Sequence, residues 1–279
     1  MKRIGIIAKL NKPEALKIAR EVAEWLAARG VEVFVEEELG RMIGYQKACF
    51  RDKLPDLIDL LLVLGGDGTM LSAARLVGGK GIPILGVNLG GLGFLTEVTV
   101  GEMYAVLEDV VKDRFETEER MMLSVELQRV SGEGSHYMVL NDVVVKGTLA
   151  RLISLETSIN KEYVTTYRAD GLIVATPTGS TAYSLSAGGP ILYPTIHSII
   201  VAPICPFNLT NRPVVIPDWM SVEMRLKTQQ SHVLLTLDGQ IDIPIRAGDA
   251  IEVKRAEASI YLVRFPGKSY FDILRARLM

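Results

Sequence analysis

Cysteine, histidine and net charge are all scarce in this chain. Of 279 residues, two are cysteine and three are histidine. Cys49 and Cys205 lie far apart with no CxxC spacing, which argues against a disulfide framework and a thiolate zinc site. Both read as buried small hydrophobes in a reducing compartment. His136, His197 and His232 fit no HExxH or other metal spacing. Lysine and arginine number 31 against 33 aspartates and glutamates, a net charge of −2, so no basic excess asks for nucleic acid. The one short acidic run, Glu36-Glu37-Glu38, reads as a solvated loop. The longest apolar stretch, Leu57 to Leu64, contains Asp59 and falls far short of a membrane span. The opening run Met1 to Ala8 is too short for a signal sequence and reads as a first strand. A soluble, cytoplasmic protein without a membrane partner is expected. Ser184-Leu185-Ser186-Ala187-Gly188 lacks the first glycine of a nucleophile elbow, so acyl transfer has little support.

What is present is apolar: 48 % of residues, enough to bury a sizeable core in two modest domains or one large one. The first third alternates strand and helix patterns. Strands are expected at Ile4 to Ala8, Val31 to Val35, Leu57 to Leu64 and Ile84 to Val87. Helices are expected through Ala15 to Leu26, Met70 to Val77 and Gly101 to Val111. That order predicts a parallel sheet with helices on its faces. From Met121 the pattern changes to strand after strand. Met121 to Val130 and His136 to Val145 read as a hairpin, as do Arg151 to Ile159 and Tyr163 to Ala169. Further strands are expected at Leu172 to Ala175, Ile199 to Ala202, Pro213 to Ile216, Val222 to Leu226, Val233 to Leu237, Ile251 to Lys254 and Ile260 to Phe265. The expected fold class is an α/β N-terminal domain with a parallel sheet plus an all-β, sandwich-like C-terminal domain. The domains are placed at 1–118 and 119–265, with an amphipathic helical tail at 266–279.

Two segments carry chemistry. The aliphatic strand runs into Gly65-Gly66-Asp67-Gly68-Thr69 and then a helix. Glycines let backbone N–H groups approach phosphate oxygens, and a helix N-terminus favours negative charge. A glycine pair alone is equally a tight turn. Asp67 is the unusual part, because a carboxylate among such amides repels a phosphate. Its presence suggests a chemical role, either accepting a proton from an attacking hydroxyl or holding a metal that offsets the repulsion. Neither the Walker pattern nor the dinucleotide glycine fingerprint is present. A second glycine loop, Asn88 to Leu95, follows the next strand. The other segment is Asp170 to Pro190, in which a strand is framed by Asp170-Gly171 and by the hydroxyl-rich Thr176 to Ser186. Small hydroxyls can read a nucleotide's polar edges, and Tyr183 can stack on a base; the plain alternative is a polar loop before a capped helix. Asn141-Asp142 offers an amide and a carboxylate for ribose hydroxyls or is a turn pair, and Asp238-Gly239-Gln240 reads equally as a hairpin turn.

Taken together, Gly65 to Thr69, Asn141-Asp142, Asp170 to Pro190 and Asp238 to Gln240 resemble the NAD kinase family, in the family's order. The glycine loop alone is shared with diacylglycerol-type lipid kinases; the Asp170 to Pro190 segment is far more specific. The resemblance implies NAD as acceptor, ATP or polyphosphate as donor, a divalent metal such as magnesium, and a homo-oligomer (dimer or tetramer). It makes Asp67 the catalytic acidic residue beside the 2′-hydroxyl of the adenosine ribose. It gives Gly65, Gly66, Gly68 and Thr69 to the donor phosphates. Gly68, Asn141, Asp142, Asp170, Thr181, Ala182, Tyr183 and Ser186 match substrate contacts, and Arg151, Arg168 and Gln240 align with further ones. Two departures stand out: Asp142 is one methylene shorter than the family's usual glutamate, and Phe207 stands where many relatives carry histidine. The rival readings are a lipid kinase sharing the glycine loop and a non-catalytic dinucleotide sensor.

Overall fold

The computed structural model describes residues 1–91, 93–149, 151–229, 232–264 and 267–278. Leu92 of the second glycine loop, Phe265 at the end of the last expected strand, and Pro266 and Met279 of the expected tail lie outside that set, as do Ala150, Gln230 and Ser231. The chain forms two compact units, Met1–Glu119 with Ser259–Met279, and Arg120–Ala258.

The first unit begins with β1 (Arg3–Ala8), α1 (Pro13–Ala27), β2 (Glu32–Glu36), α2 (Glu37–Ile43) and β3 (Ala48–Cys49). A helical turn α3 (Leu54–Leu57), β4 (Leu60–Gly65), α4 (Asp67–Val77), β5 (Pro83–Asn88), β6 (Val98–Thr99) and α5 (Val100–Val111) follow. Strands β5, β4, β1, β2 and β3 lie side by side in that order, all parallel. Every residue of β4 is buried, as a parallel strand covered on both faces requires. Helix α1 starts on Pro13 and buries Ala15, Ile18, Ala19, Val22, Ala23 and Leu26, one face of a 3.6-residue repeat. A capping box closes the start of α5: Glu102 accepts from the Thr99 N–H and hydroxyl. Two readings need correction here. Leu57 to Leu64 is not one strand, because Asp59 turns aside to accept the Lys2 and Arg3 N–H groups and the Arg3 guanidinium. Nor is Glu36-Glu37-Glu38 a solvated loop: Glu36 is 6 % exposed and pairs with Arg51, while Glu37 and Glu38 fill the first turn of α2, where helix dipoles favour acids.

The second unit is built from β7 (Thr117–Gln128), β8 (Gly134–Val139), β9 (Asp142–Gly147), β10 (Ile153–Ile159), β11 (Glu162–Ala169) and β12 (Gly171–Ala175). It continues with the single turn α6 (Tyr183–Ser186), β13 (Ser198–Ile204), β14 (Val214–Pro217), β15 (Val222–Leu226), β16 (Val233–Leu237), β17 (Ile241–Ile245) and β18 (Ala250–Val263), whose residues from Ser259 on belong to the first unit. One sheet has the antiparallel order β14-β13-β12-β9-β16-β17, and a second antiparallel run is β11-β10-β15-β18. A continuous core joins them through inward residues such as Leu155, Leu226 and Val253 on one side and Val143, Val174 and Leu235 on the other. The far face of β9, β12 and β13 (Val144, Ile173, Ile200) is covered by Ala187 and Leu192. The expected strand His136 to Val145 is two strands, broken at Leu140-Asn141. Ile251 to Lys254 and Ile260 onward are parts of one strand, β18. The buried-cysteine reading fails for Cys205, which is exposed at φ +44°, while Cys49 is half-buried. The tail is helical: α7 (Tyr270–Leu278) buries Tyr270, Ile273 and Leu274 in the first unit. It is anchored by Lys268, which donates to Glu102 at 2.7 Å and to the Glu97 carbonyl at 2.9 Å.

Gly179 packs its backbone onto β9: a Cβ there would stand 2.1 Å from the Asn141 carbonyl oxygen. Backbone cannot yield as a side chain can, so Gly179→Ala is expected to lower stability by about 1–3 kcal/mol. Gly101→Ala, with open space around its Cβ, should be neutral or slightly stabilising. Denaturant melts of the two variants check this; equal midpoints would refute the close approach.

Candidate functional site

In the first unit the site forms at the carboxyl ends of β1, β4 and β5, where parallel sheets present their ligands. Asp67 is the first residue of α4, after Gly66. Its carboxylate does not stand free. It accepts the Phe94 N–H at 3.1 Å and the Leu95 N–H at 3.0 Å, with the Thr96 hydroxyl at 3.4 Å. Gly93 makes this approach geometrically feasible: a Cβ there would lie 2.3 Å from Asp67 Oδ1 and 2.4 Å from Thr96 Oγ1. Gly65 gives Thr69 the same freedom, its absent Cβ falling 2.4 Å from Thr69 Oγ1. Asn88 braces the second loop, accepting the Gly90 N–H at 2.7 Å and donating to Thr96 Oγ1 at 2.7 Å. Around Asp67 opens a cavity of about 260 Å3 lined by Gly65, Gly66, Gly90, Gly91 and Gly93, with Lys9, Lys12 and Arg277. Gly68 and Thr69 face an adjoining cavity of about 330 Å3 that also takes in Lys9, Arg51 and Ser72. Arg51 donates to Ser72 Oγ at 2.7 Å.

In the second unit, Asn141, Asp142, Ala182 and Tyr183 line one cavity of about 290 Å3. The break between β8 and β9 is held by Asp238 at the β16–β17 turn, itself at φ +50°. The Asp238 carboxylate accepts the N–H groups of Asn141 at 2.7 Å and Leu140 at 3.1 Å. Asp142 is 4 % exposed. Burial pushes its carboxyl up to about 7, the neighbouring Asp238 charge pushes the same way, and a hydrogen bond from the Tyr183 backbone opposes them. Thr176 stitches the next loop to this end, donating to the Leu140 carbonyl at 2.6 Å. The Asn141 Oδ1 is buried with no partner among the described residues, an acceptor left for a ligand. Tyr183 is 36 % exposed, and its hydroxyl accepts from Lys146 Nζ at 3.2 Å.

The remaining expected contacts divide. Thr181 and Ser186 flank Tyr183, Thr181 donating to the Thr178 carbonyl at 3.4 Å. Gln240 closes the β16–β17 turn by donating its N–H to the Leu237 carbonyl at 2.9 Å. Asp170, Arg151 and Arg168 are elsewhere. Asp142 pairs with Ala175, at the carboxyl end of β12, whereas Asp170 precedes its first residue. Five residues of strand separate them, roughly 16 Å. The Arg151 and Asp170 carbonyls both approach Gly147, and Arg168 lies 5.0 Å from the Phe207 ring. Phe207, 66 % exposed, thus serves as a stacking face for a guanidinium. A wider concavity of about 760 Å3 in the second unit is lined by none of these residues; Glu126, Glu156, Glu223 and Glu252 make it hostile to phosphates.

Sequence reasoning missed Lys146 and the amides of Phe94 and Leu95. Lys146 was findable: Asp142, Val144 and Lys146 alternate along β9 onto the cavity side. The amides had no signal beyond the glycine that precedes them.

A carboxylate fixed inside a glycine-lined cavity with three cations suits phosphoryl transfer better than plain anion binding. Comparison with known proteins names the family. Residues 4–115 match the ATP-NAD kinase N-terminal domain and residues 140–265 the ATP-NAD kinase C-terminal domain. The NAD kinase of Syntrophotalea carbinolica is 49 % identical over 280 residues, covering 100 % of this chain and 98 % of that protein. The NAD kinase of Geotalea daltonii is 50 % identical over 279 residues, with the same coverage. Among solved structures, yeast NADH kinase complexed with NADH superposes with a TM-score of 0.92 at 27 % identity, over 99 % of this chain and 86 % of that one. An NAD kinase from Archaeoglobus fulgidus in complex with ATP gives 0.78 at 24 % identity over 98 % and 99 %, a likeness of fold. The chain belongs to the NAD kinase family. It is therefore a kinase, and the lipid-kinase and sensor alternatives fall away.

The raised Asp142 carboxyl has a pH signature. Unfolded, an aspartate titrates near ~4. Between that value and about 7 the native chain holds a proton that the unfolded chain lacks. Stability from this group is complete below ~4 and is lost as pH rises through 7, by up to ~1.4 kcal/mol per pH unit. Asp142→Asn carries no such proton, so its melting temperature relative to the parent should rise with pH across this window. Parallel profiles would show the carboxyl ionised throughout.

Proposed function

We propose that this chain transfers the terminal phosphoryl group of ATP or polyphosphate to the 2′-hydroxyl of the adenosine ribose of NAD, producing NADP. The observation that carries the reading is Asp67, whose carboxylate is aimed by two backbone amides while facing an anion-suited cavity. Each carboxylate oxygen has two lone pairs, and the amides leave capacity for a hydroxyl. In the reaction the ribose oxygen attacks the terminal phosphorus, the bond to the bridging oxygen breaks, and the shortened donor leaves. Such a transition state is loose, so positioning and charge neutralisation dominate. Asp67 orients the hydroxyl and takes its proton late, since carboxylates are weak bases toward alcohols. Gly65, Gly66, Gly68 and Thr69 receive the donor phosphates. Asn141, Asp142, Thr181, Ala182, Tyr183, Ser186 and Gln240 are assigned to the dinucleotide, with Tyr183 as a stacking face. Arg151, Arg168 and Asp170 are assigned further contacts with it.

Magnesium fits as an ion carried in by the donor. No group of three or more His, Cys, Asp or Glu side chains among the described residues can hold a metal alone. Magnesium commonly takes one or two carboxylates plus phosphates and water, which Asp67 can satisfy. Bound that way, it would neutralise phosphate charge. The reading further assigns residues 1–118 with the 266–279 tail to an α/β domain and 119–265 to a dinucleotide-binding domain, in a cytoplasmic homo-oligomer. No helix among the described residues is long and apolar enough to cross a membrane.

Asp67→Asn should keep NAD binding and lose most turnover, by about 10²-fold or more. Titration of NAD and a coupled NADP assay check both halves; undiminished activity would refute the role. Tyr183→Ala should weaken NAD binding about tenfold, in line with ~1–1.5 kcal/mol for one aromatic contact, and an unaltered dissociation constant would rule out stacking.

A further inference from the structure

The segment that holds the Asp67 carboxylate is itself held from the far end of the chain. Phe94, Leu95 and Thr96 supply the carboxylate's contacts from the second loop, two through main-chain N–H groups. The loop has modest support of its own: the Gly93 N–H reaches the Thr96 carbonyl at 3.3 Å, and Asn88 donates to Thr96 Oγ1 at 2.7 Å. Glycines at 90, 91 and 93 leave its backbone more freedom than other residues would. Lys268 closes on the chain directly after it. Its Nζ donates to the Glu97 carbonyl at 2.9 Å, two residues beyond Leu95, and to Glu102 Oε2 at 2.7 Å. The same Glu102 oxygen accepts the Thr99 N–H at 2.9 Å and the Thr99 hydroxyl at 2.7 Å. One ammonium therefore ties the Glu97 peptide to the capped start of α5. Burial raises the Glu102 carboxyl, but Lys268 and the Thr99 groups outweigh it and hold it at about 2, so the pair stays charged at neutral pH. Lys268 lies 166 residues along the chain from Glu102, just before α7, whose buried Tyr270, Ile273 and Leu274 seat it in the first unit. A lysine anchored by a packed helix can restrain a loop; one on an undocked tail could not.

We propose that Lys268 is a positioning residue for Asp67: by clamping the Glu97 carbonyl against the start of α5 it fixes the Phe94 and Leu95 peptides, and through them the direction of the carboxylate. This rests on the kinase reading above and extends it to a side chain that donates to neither Asp67 nor Thr96. A carboxylate that must meet a hydroxyl tolerates little play, since a misplacement of ~1 Å can cost ~10²-fold in rate. Supporting hydrogen bonds one step removed supply that precision. The bond to Glu97 is the informative one. Ion pairing alone is satisfied by Glu102, whereas the second bond grips the main chain that runs on from the residues aligning the acid. β6 connects the two gripped points and pairs Val98 and Thr99 with Val87 and Asn88 of β5, so a displacement at Glu97 is not absorbed by slack on its far side.

The test compares the full chain with Lys268→Met, which keeps the aliphatic stem and removes the charge, and with Lys268→Arg. Amide hydrogen exchange is followed by mass spectrometry, and steady-state kinetics are measured with NAD, ATP and magnesium. Lys268→Met should speed exchange across residues 93–97 about tenfold while β1 and α1 keep the parent's protection. Its kcat should fall about tenfold, with KM for NAD and for ATP within about twofold of the parent, because aim is lost rather than binding. Lys268→Arg should return both readouts most of the way. Unchanged exchange at 93–97 would overturn the proposal. So would faster exchange there with an unchanged kcat, which would show a braced loop that does not aim the acid. Exchange that rises evenly across the first unit, with a lower melting temperature and both KM values raised, would make Lys268 a support of the fold alone and overturn it equally. Should the parent chain form no NADP, the kinase reading fails and the positioning role with it; should the parent form NADP while Lys268→Met matches it in both readouts, that reading stands and this inference alone fails.

Discussion

The hydrogen bonds from the Phe94 and Leu95 amides to the Asp67 carboxylate organise the first unit's site. They join two loops that leave neighbouring parallel strands, and they fix the direction of an acid at the start of α4. The contact exists because Gly93 has no side chain to obstruct it. One residue type thus does two jobs in this unit. In the first loop Gly65 leaves room for the Thr69 hydroxyl; in the second Gly93 lets the Phe94 and Leu95 amides reach the Asp67 carboxylate. The carboxylate among anion-binding amides stops being paradoxical once three of its roughly four acceptor sites are seen to be used for its own alignment.

The second unit solves a related problem with a turn. Asp238, held in a left-handed conformation at the tip of a hairpin, gathers the amides that would be orphaned where β8 gives way to β9. Asp142 stays inside the protein, and its buried carboxyl holds a proton to higher pH.

Much of the first unit was legible because its patterns are local: α1 is bounded by Pro13 and its apolar face repeats at helical spacing. Strand β4 was legible as a buried run, yet its start was not, since Asp59 is recruited by backbone groups distant in sequence. Helix α2 hid behind three glutamates, whose places are decided by Arg51 and by a helix start. The hairpin of Met121 to Val130 with the strand after it is present as β7 and β8, but the single strand expected through Val145 is not, because apolar alternation continues through Leu140-Asn141 while the strands part. Residues proposed for the dinucleotide were recognisable as a group, but their division between the two ends of β12 depends on strand pairing that no local pattern records. The cations of the Asp67 cavity come from residues 9, 12 and 277, and no spacing rule unites them.

The first unit is interrupted in the chain by Arg120–Ala258, a stretch of 258 − 119 = 139 residues. Tyr261 and Leu262 supply the parallel neighbour of Pro83 and Ile84 on β5, and Val263 enters the same core. On a ribosome adding ~5–20 residues per second, the opening sheet therefore waits roughly 7–28 s for its final strand. Throughout that interval β6 covers the Val87–Asn88 end of β5, while the Pro83–Ile84 end stands without its neighbour, a short template for mispairing with other nascent chains. Biosynthesis of this enzyme is thus exposed to chaperone capacity at a step set by topology, before its completed fold or its chemistry comes into play.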